Sequence, residues 1–297
     1  MNKVLVIGGQ GLGDCILSLQ CASVIQNYGI IPKIVISARP EIQKALSFLF
    51  DSQFKLDFID DYYSKYDRML REKKLMDEVI QGFGEIYYIV PHLIYCNNFR
   101  FNFEKYNTSP QVIREIKLLT KNRKIKKIIY AGLLSVKLCH MFKNSVELVI
   151  KLATAMQDYE IYFPIIQSWA GKEIPAFSFP EDIPSNLHID VNPELKDALA
   201  VLLGSCYFVG LDNGPSHIAY QAGIPRLILD SRMTNLGLII RWRENLLESV
   251  PISSSTDSIV YLIKTNLEIP QTTLLPRDLC LLNKGLDWVK ALSLRPL

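Results

Sequence analysis

Lys3-Val4-Leu5-Val6-Ile7-Gly8-Gly9-Gln10-Gly11-Leu12-Gly13-Asp14 stands almost at the start of the chain, and its reading decides the fold. Lys3 to Ile7 is apolar and β-branched with little alternation, as a parallel strand covered on both faces requires. Glycines at 8, 9, 11 and 13 form a loop, and a helical pattern then runs from about Cys15 to Tyr28, where Gly29 ends it. The same order returns far downstream. Tyr207 to Leu211 reads as strand, Asp212-Asn213-Gly214 as turn and Ser216 to Ala222 as helix. Two strand–loop–helix units in one chain predict an α/β protein of two Rossmann-like open parallel sheets facing a central cleft. In such sheets ligands bind beyond the carboxyl ends of the strands.

The text around these two stretches supports the same reading. Further strands are predicted at Lys33 to Ser37, Phe54 to Ile59 and Glu85 to Val90, with helices from Pro40 to about Phe50 and from Tyr66 to Ile80. Pro91 opens an aromatic, Asn-rich excursion that leads to a helix near 110–119. The lysine- and arginine-rich run from Lys121 to Lys127 marks the boundary, giving a first domain over 1–120 and a second over 121–297. In the second, strands are expected at Lys127 to Tyr130, Tyr159 to Pro164, Leu187 to Val191 and Pro225 to Leu229. Helices are expected at Ser145 to Met156 and Pro193 to Leu203, and three more close the chain near 236–249, 256–265 and 278–293. Trp169 to Ile183 carries no clear period.

Composition narrows the function classes. The 297 residues are 49% hydrophobic and 21% charged, a globular balance, and the net charge of +3 is too small to argue for nucleic acid. The apolar run after Met1 is too short for a signal peptide core. No apolar stretch reaches the length of a membrane span, so the expected location is the cytoplasm. Six cysteines and four histidines are scattered without metal-ligand spacing, which predicts no metal and reads the cysteines as small core residues.

The amino-terminal loop, Gly9, Gln10, Gly11, Leu12 and Gly13, follows a strand and opens a helix, the right context for a phosphate or sugar. It is not a dinucleotide fingerprint, because the third glycine position falls on Asp14, and it lacks the lysine of a P-loop. Asp14 has two readings. A carboxylate at a helix start caps it and is stabilised by the dipole. The same carboxylate, beside glycines that admit a substrate closely, can serve as a general base.

Asp212-Asn213-Gly214-Pro215-Ser216-His217 is the stronger local signal. The strand delivers Asp212 at its carboxyl end, Asn213 or Ser216 can cap the helix, and Pro215 fits its first turn. The N–H groups of Gly214, Ser216 and His217 are expected to point at an anion. His217 is either a hydrogen-bonded core residue or a donor to a diphosphate or sugar.

Gly11-Leu12-Gly13-Asp14, followed by Asp212-Asn213-Gly214-Pro215-Ser216-His217-Ile218-Ala219 and Ala222-Gly223-Ile224-Pro225, resembles glycosyltransferase family nine. This is the heptosyltransferase-like family with the GT-B fold, and the motifs fall in its domain order over nearly the whole chain. The resemblance implies a nucleotide-diphosphate sugar held by the second domain, an acceptor on the first, and inverting transfer. It implies Asp14 as base, Asp212 as contact to the donor sugar and Asn213 to His217 as the diphosphate turn. No cofactor is implied beyond the donor substrate.

Two features depart from the family. Members usually carry Ser or Thr where this chain has Asn213. They also carry a lysine followed by Trp-Pro after the first strand of the second domain. Here Gly132-Leu133-Leu134-Ser135-Val136-Lys137-Leu138 has no Trp-Pro, and Lys137 is the matching cation, either neutralising a phosphate or simply solvated. The basic run 121–127 is a solvated boundary or a contact to an anionic acceptor or the inner membrane surface. The expected activity is sugar transfer to a glycan or lipid-linked acceptor in surface-glycan assembly, without nucleic acid. A sugar epimerase of similar architecture and a non-catalytic glycan-binding subunit are the competing readings.

Overall fold

The computed structural model describes residues 4–8, 11–13, 15–16, 32–50, 56–60, 85–88, 127–135, 140–169, 172–173, 177–222, 224–230 and 249–268. The chain divides into two compact units, Met1–Glu115 with Leu275–Leu297, and Ile116–Leu274. The helices expected near 66–80, 110–119 and 278–293 lie outside the described residues, as do most of the first helix and residues 236–248.

In the first unit, β1 (Val4–Gly8), β2 (Pro32–Ala38), β3 (Leu56–Asp60) and β4 (Glu85–Tyr88) form a parallel sheet in the order β3-β2-β1-β4. Helix α1 (Pro40–Phe50) starts on a proline whose missing N–H costs nothing at a first helical position. Ile42, Ala45, Leu46 and Leu49 recur at helical spacing and are all buried. Gln43 Nε2 donates to the Ala38 carbonyl at 2.8 Å, tying the helix start to the end of β2.

The second unit is built on six parallel strands. They are β5 (Ile128–Gly132), β8 (Glu160–Ile165), β11 (Leu187–Val191), β12 (Tyr207–Leu211), β13 (Arg226–Asp230) and β14 (Ser249–Pro251). Their spatial order is β11-β8-β5-β12-β13-β14. Counted along the chain this is 3-2-1-4-5-6, the doubly wound order, and it reverses direction between β5 and β12. Two short antiparallel hairpins stand beside it, β6 (Leu134–Ser135) with β7 (His140–Met141), and β9 (Ser168–Trp169) with β10 (Lys172–Glu173). Strands of two or three residues are too short to show a period. This is why the hairpins escape a sequence reading, and why Ser249, where a helix is predicted to end, instead begins β14.

Helices α2 (Ser145–Ala155), α3 (Leu195–Leu203), α4 (Gly214–Gln221) and α5 (Thr256–Glu268) cover the sheet. Ile129, Ala131, Ile161, Phe163, Val209, Leu211, Leu227 and Leu229 alternate along their strands to share one buried cluster with Leu148, Val149 and Leu152 of α2 and Ile259 and Ile263 of α5. Lys151 pins α2 to α5, donating to Thr256 Oγ1 at 3.1 Å and to Asp257 Oδ1 at 2.8 Å. The opposite face carries Tyr130, Phe208, Arg226 and Ile228, all buried, and α4 packs there against β12 and β13 with α3 against its side.

On that second face the strands meet under a steric constraint. Gly132 of β5 and Gly210 of β12 are register partners, and the Phe208 ring lies over both. A Cβ at Gly132 would stand 2.7 Å from Phe208 Cε2, and one at Gly210 would overlap the Gly132 carbonyl and stand 2.8 Å from Phe208 Cζ. Neither position has room for a side chain, and the Gly132 backbone cannot yield without shifting β5. Gly204, the last residue before the turn into β12, meets nothing nearer than 3.5 Å. Gly210→Ala is therefore expected to lose about 1–3 kcal/mol of unfolding free energy in urea, the usual cost of overpacking. Gly204→Ala should stay within about 1 kcal/mol of the parent chain. Equal stability of the two variants would show that the close approach at Gly210 is not a constraint.

Candidate functional site

The carboxyl ends of β5 and β12 flank the point where the strand order reverses, and Asp212 to His217 start there. Asn213 is the N-cap of α4. Its side-chain Oδ1 accepts from the Ser216 N–H at 3.1 Å. Ser216 reaches back, its hydroxyl accepting from the Asn213 N–H at 3.2 Å and donating to the Asn213 carbonyl at 2.7 Å. This is the reciprocal logic of a capping box with serine in the third position. Both residues that the sequence offered as alternative caps are thus used together.

The cap changes what the helix start offers an anion. The Ser216 and His217 N–H groups both turn to the Asn213 carbonyl, at 3.1 and 3.4 Å. Of the three N–H groups expected to face a ligand, two are taken by the turn itself: that of His217 by the Asn213 backbone carbonyl, as any residue there would accept it, and that of Ser216 by the same carbonyl and the asparagine Oδ1. Gly214 keeps its N–H without a protein acceptor among the described residues. Pro215 has none to give, and in the first turn it costs the helix little.

The two hydrogens on Asn213 Nδ2 point the other way. They go to the carbonyls of Gly132, at 3.0 Å, and Leu134, at 2.8 Å. One side chain therefore joins the end of β5, the start of β6 and the first turn of α4. Beneath it, Arg226 Nη1 donates to the Ser216 carbonyl at 3.2 Å from a buried position.

Asp212 and His217 are brought together. Their side chains are only 10% and 8% exposed, and His217 Nε2 lies 3.5 Å from Asp212 Oδ1. At that separation the contact is an electrostatic pairing rather than a well-formed hydrogen bond. A carboxylate and an imidazole are thus held side by side at the carboxyl end of β12.

The neighbouring layer is aromatic. Register pairs Tyr162 with Tyr130 and Tyr130 with Phe208 across three strands, with ring centroids 5.4 and 5.9 Å apart. Tyr162 donates to Asp190 Oδ2 at 2.6 Å. Burial, then the bonded Asp190, pushes the Tyr162 hydroxyl well above the usual tyrosine range, and burial does the same to Tyr130. Both hydroxyls therefore stay protonated at neutral pH.

In the first unit, the Cys15 N–H donates to the Gly11 carbonyl at 2.9 Å, so the helix begins immediately after Gly11. Leu12 of this loop is buried with Cys15 and Ile16. Gly9, Gln10, Asp14 and Lys137 lie outside the described residues. Of the basic run, Lys127 is described, with its ammonium 5.6 Å from the centre of the Tyr159 ring. Sequence reasoning missed Gly132, Leu134 and Arg226. Gly132 was findable, since a glycine inside a strand marks close backbone approach; a backbone acceptor such as Leu134 leaves no trace in residue type.

No protein-family model and no curated protein matches the sequence. Solved structures do match the fold. The Escherichia coli heptosyltransferase WaaC with ADP-2-deoxy-2-fluoro heptose superposes with a TM-score of 0.58 at 10% identity, over 89% of this chain and 99% of that one. The family-nine glycosyl transferase from Veillonella parvula gives 0.55 at 10% identity, over 90% and 97%. A Listeria monocytogenes protein assigned as a UDP-N-acetylglucosamine 2-epimerase gives 0.53 at 12% identity, over 90% and 88%. This chain has the GT-B-like α/β fold of these proteins.

Ser216→Ala removes both halves of the hydroxyl's work and leaves the Asn213 N–H without its acceptor. It should cost about 0.5–2 kcal/mol in denaturant unfolding, the range for a lost helix cap. Amide exchange should quicken at Asn213. Unchanged exchange there would show that the cap is not held by Ser216.

Proposed function

We propose that this chain is an inverting glycosyltransferase. It moves a sugar from a nucleotide-diphosphate sugar to a hydroxyl of a glycan or lipid-linked acceptor in surface-glycan assembly. The observation that carries the reading is the buried Asp212–His217 pair beside the capped turn Asn213–Ser216, at the reversal of the strand order. Ligands of doubly wound sheets bind at that place. The GT-B-like fold shared with WaaC, whose structure holds an ADP-sugar analogue, supports a nucleotide-sugar donor.

In this reading Asp212 and His217 contact the donor sugar and its diphosphate, and the Gly214 N–H with the α4 dipole supplies positive field to the phosphates. Lys137 adds a cation. Asp14 takes the proton from the acceptor hydroxyl as its oxygen bonds to the anomeric carbon. The bond from that carbon to the diphosphate oxygen breaks, and the nucleoside diphosphate leaves with the electron pair. Donor stabilisation of this kind can come from N–H groups and lysine without a metal. The reaction is assigned to the cytoplasm at the inner face of the membrane, where the basic run 121–127 meets an anionic surface. Among the described residues no helix is long and apolar enough to cross a membrane.

The likeness to the Listeria protein favours a second reading, epimerisation of a nucleotide sugar on the same fold. The two differ in the need for an acceptor. A screen of ADP-, GDP-, UDP- and dTDP-sugars by calorimetry finds the donor, and product analysis with and without acceptor separates transfer from epimerisation. Asp212→Asn should weaken donor binding in a folded protein. Asp14→Asn should keep donor binding and lower the chemical step by about 100- to 10,000-fold, the usual loss of a positioned base. Unchanged affinity and turnover in Asp212→Asn would sink the site assignment. A loss under about threefold in Asp14→Asn, with chemistry limiting, would leave Asp14 as a cap alone.

A further inference from the structure

Asn213 makes more bonds than a helix cap needs. The Nδ2 group is committed to two carbonyls, Gly132 and Leu134, that flank Leu133 on the segment leaving β5. Leu133 is fully buried in the core, and the Phe142 N–H returns to its carbonyl at 3.2 Å. Phe142 is itself buried, and Ser145 Oγ donates to the Phe142 carbonyl at 2.5 Å as α2 begins. Between these anchors β6 and β7 pair antiparallel, Leu134 with Met141 and Ser135 with His140. The base of the hairpin is thus held from two sides: by Leu133 and Phe142 in the apolar core, and by one amide from the turn after Asp212.

The chemistry of the amide explains why this residue is asparagine. A serine or threonine hydroxyl can cap a helix, but it has a single hydrogen to donate. Asparagine has two donors and an acceptor on one planar group, so it can cap α4 and hold two carbonyls of another segment at once. Pro215 has no N–H and Asn213 caps that of Ser216, so among the described residues the first turn keeps the Gly214 N–H for an anion. The wall beside it must then be fixed in advance if binding is not to pay for ordering it.

We propose that Asn213 is a positioning residue whose amide fixes the paired backbone of Leu134–Ser135 and His140–Met141 against the start of α4, making that backbone a wall of the donor site. The inference rests on the nucleotide-sugar reading and adds to it a residue that shapes the site without touching the donor. Ligand affinity and hairpin order are then coupled through one side chain.

Asn213→Ser tests it, because serine keeps a capping oxygen and drops the two amide donations. Amide exchange at Phe142 should quicken by about tenfold or more as the hairpin base opens locally, while Ser216 stays protected. The dissociation constant of the tightest of ADP, GDP, UDP and dTDP should rise by about five- to tenfold, the scale of a lost pair of buried hydrogen bonds. A merely structural role would lower denaturant stability and leave that constant alone. Unchanged exchange at Phe142 overturns the clamp. Faster exchange with an affinity within about twofold of the parent overturns the inference and leaves the donor reading standing. A parent protein that binds none of the four nucleotides overturns the donor reading and this inference together. If the serine variant does not fold, Asn213→Asp, which keeps Oδ1 and the side-chain size, reads the same exchange and affinity at high salt.

Discussion

The close approach of β5 and β12 is the constraint on which the second unit depends. Gly132 and Gly210 face each other in register, and the Phe208 ring fills the space that side chains at either position would need. These two strands are also where the sheet reverses its order, the place at which doubly wound sheets bind ligands. The stacked rings of Tyr130 and Phe208 extend that packing sideways, and burial keeps Tyr130 and Tyr162 uncharged. This packed aromatic layer is the floor from which β12 delivers Asp212 and the turn after it.

Above this floor the distribution of hydrogen bonds is unlike that of an open helix start. An uncapped α4 would leave the Gly214 and Ser216 N–H groups open to a ligand; Asn213 takes that of Ser216, and Ser216 in turn takes that of Asn213. Arg226 compensates in part by holding the Ser216 carbonyl from below, so the first turn is fixed from both ends. Among the described residues the Gly214 N–H keeps no protein acceptor, and it stands at the positive end of the α4 dipole beside the Asp212–His217 pair.

Much of the architecture is legible in the sequence. The strands Leu187–Val191 and Tyr207–Leu211 and the helix Pro40–Phe50 stand out because each is a periodic or apolar run closed by glycine, proline or polar residues. The end of β5 is less legible: Gly132 reads as punctuation, yet it is strand, because its lack of a side chain serves packing and not a turn. The site is legible at Asp212 to His217, where a strand end, a turn and a helix start coincide. The use of Asn213 is not, since its partners are backbone carbonyls from a segment about eighty residues away and any residue type could supply them. Residue types reveal which groups can act as donors and acceptors; only the fold assigns them to one another.

The central claim is that a nucleoside diphosphate seats at the carboxyl ends of β5 and β12. A crystal structure with the tightest-binding nucleotide tests it most directly. The expected result is a diphosphate within hydrogen-bonding distance of the Gly214 N–H and beside His217, with Asn213 still bonded to Gly132 and Leu134. A diphosphate seated instead on the glycine loop after β1, with the turn at Asp212 empty, would contradict it.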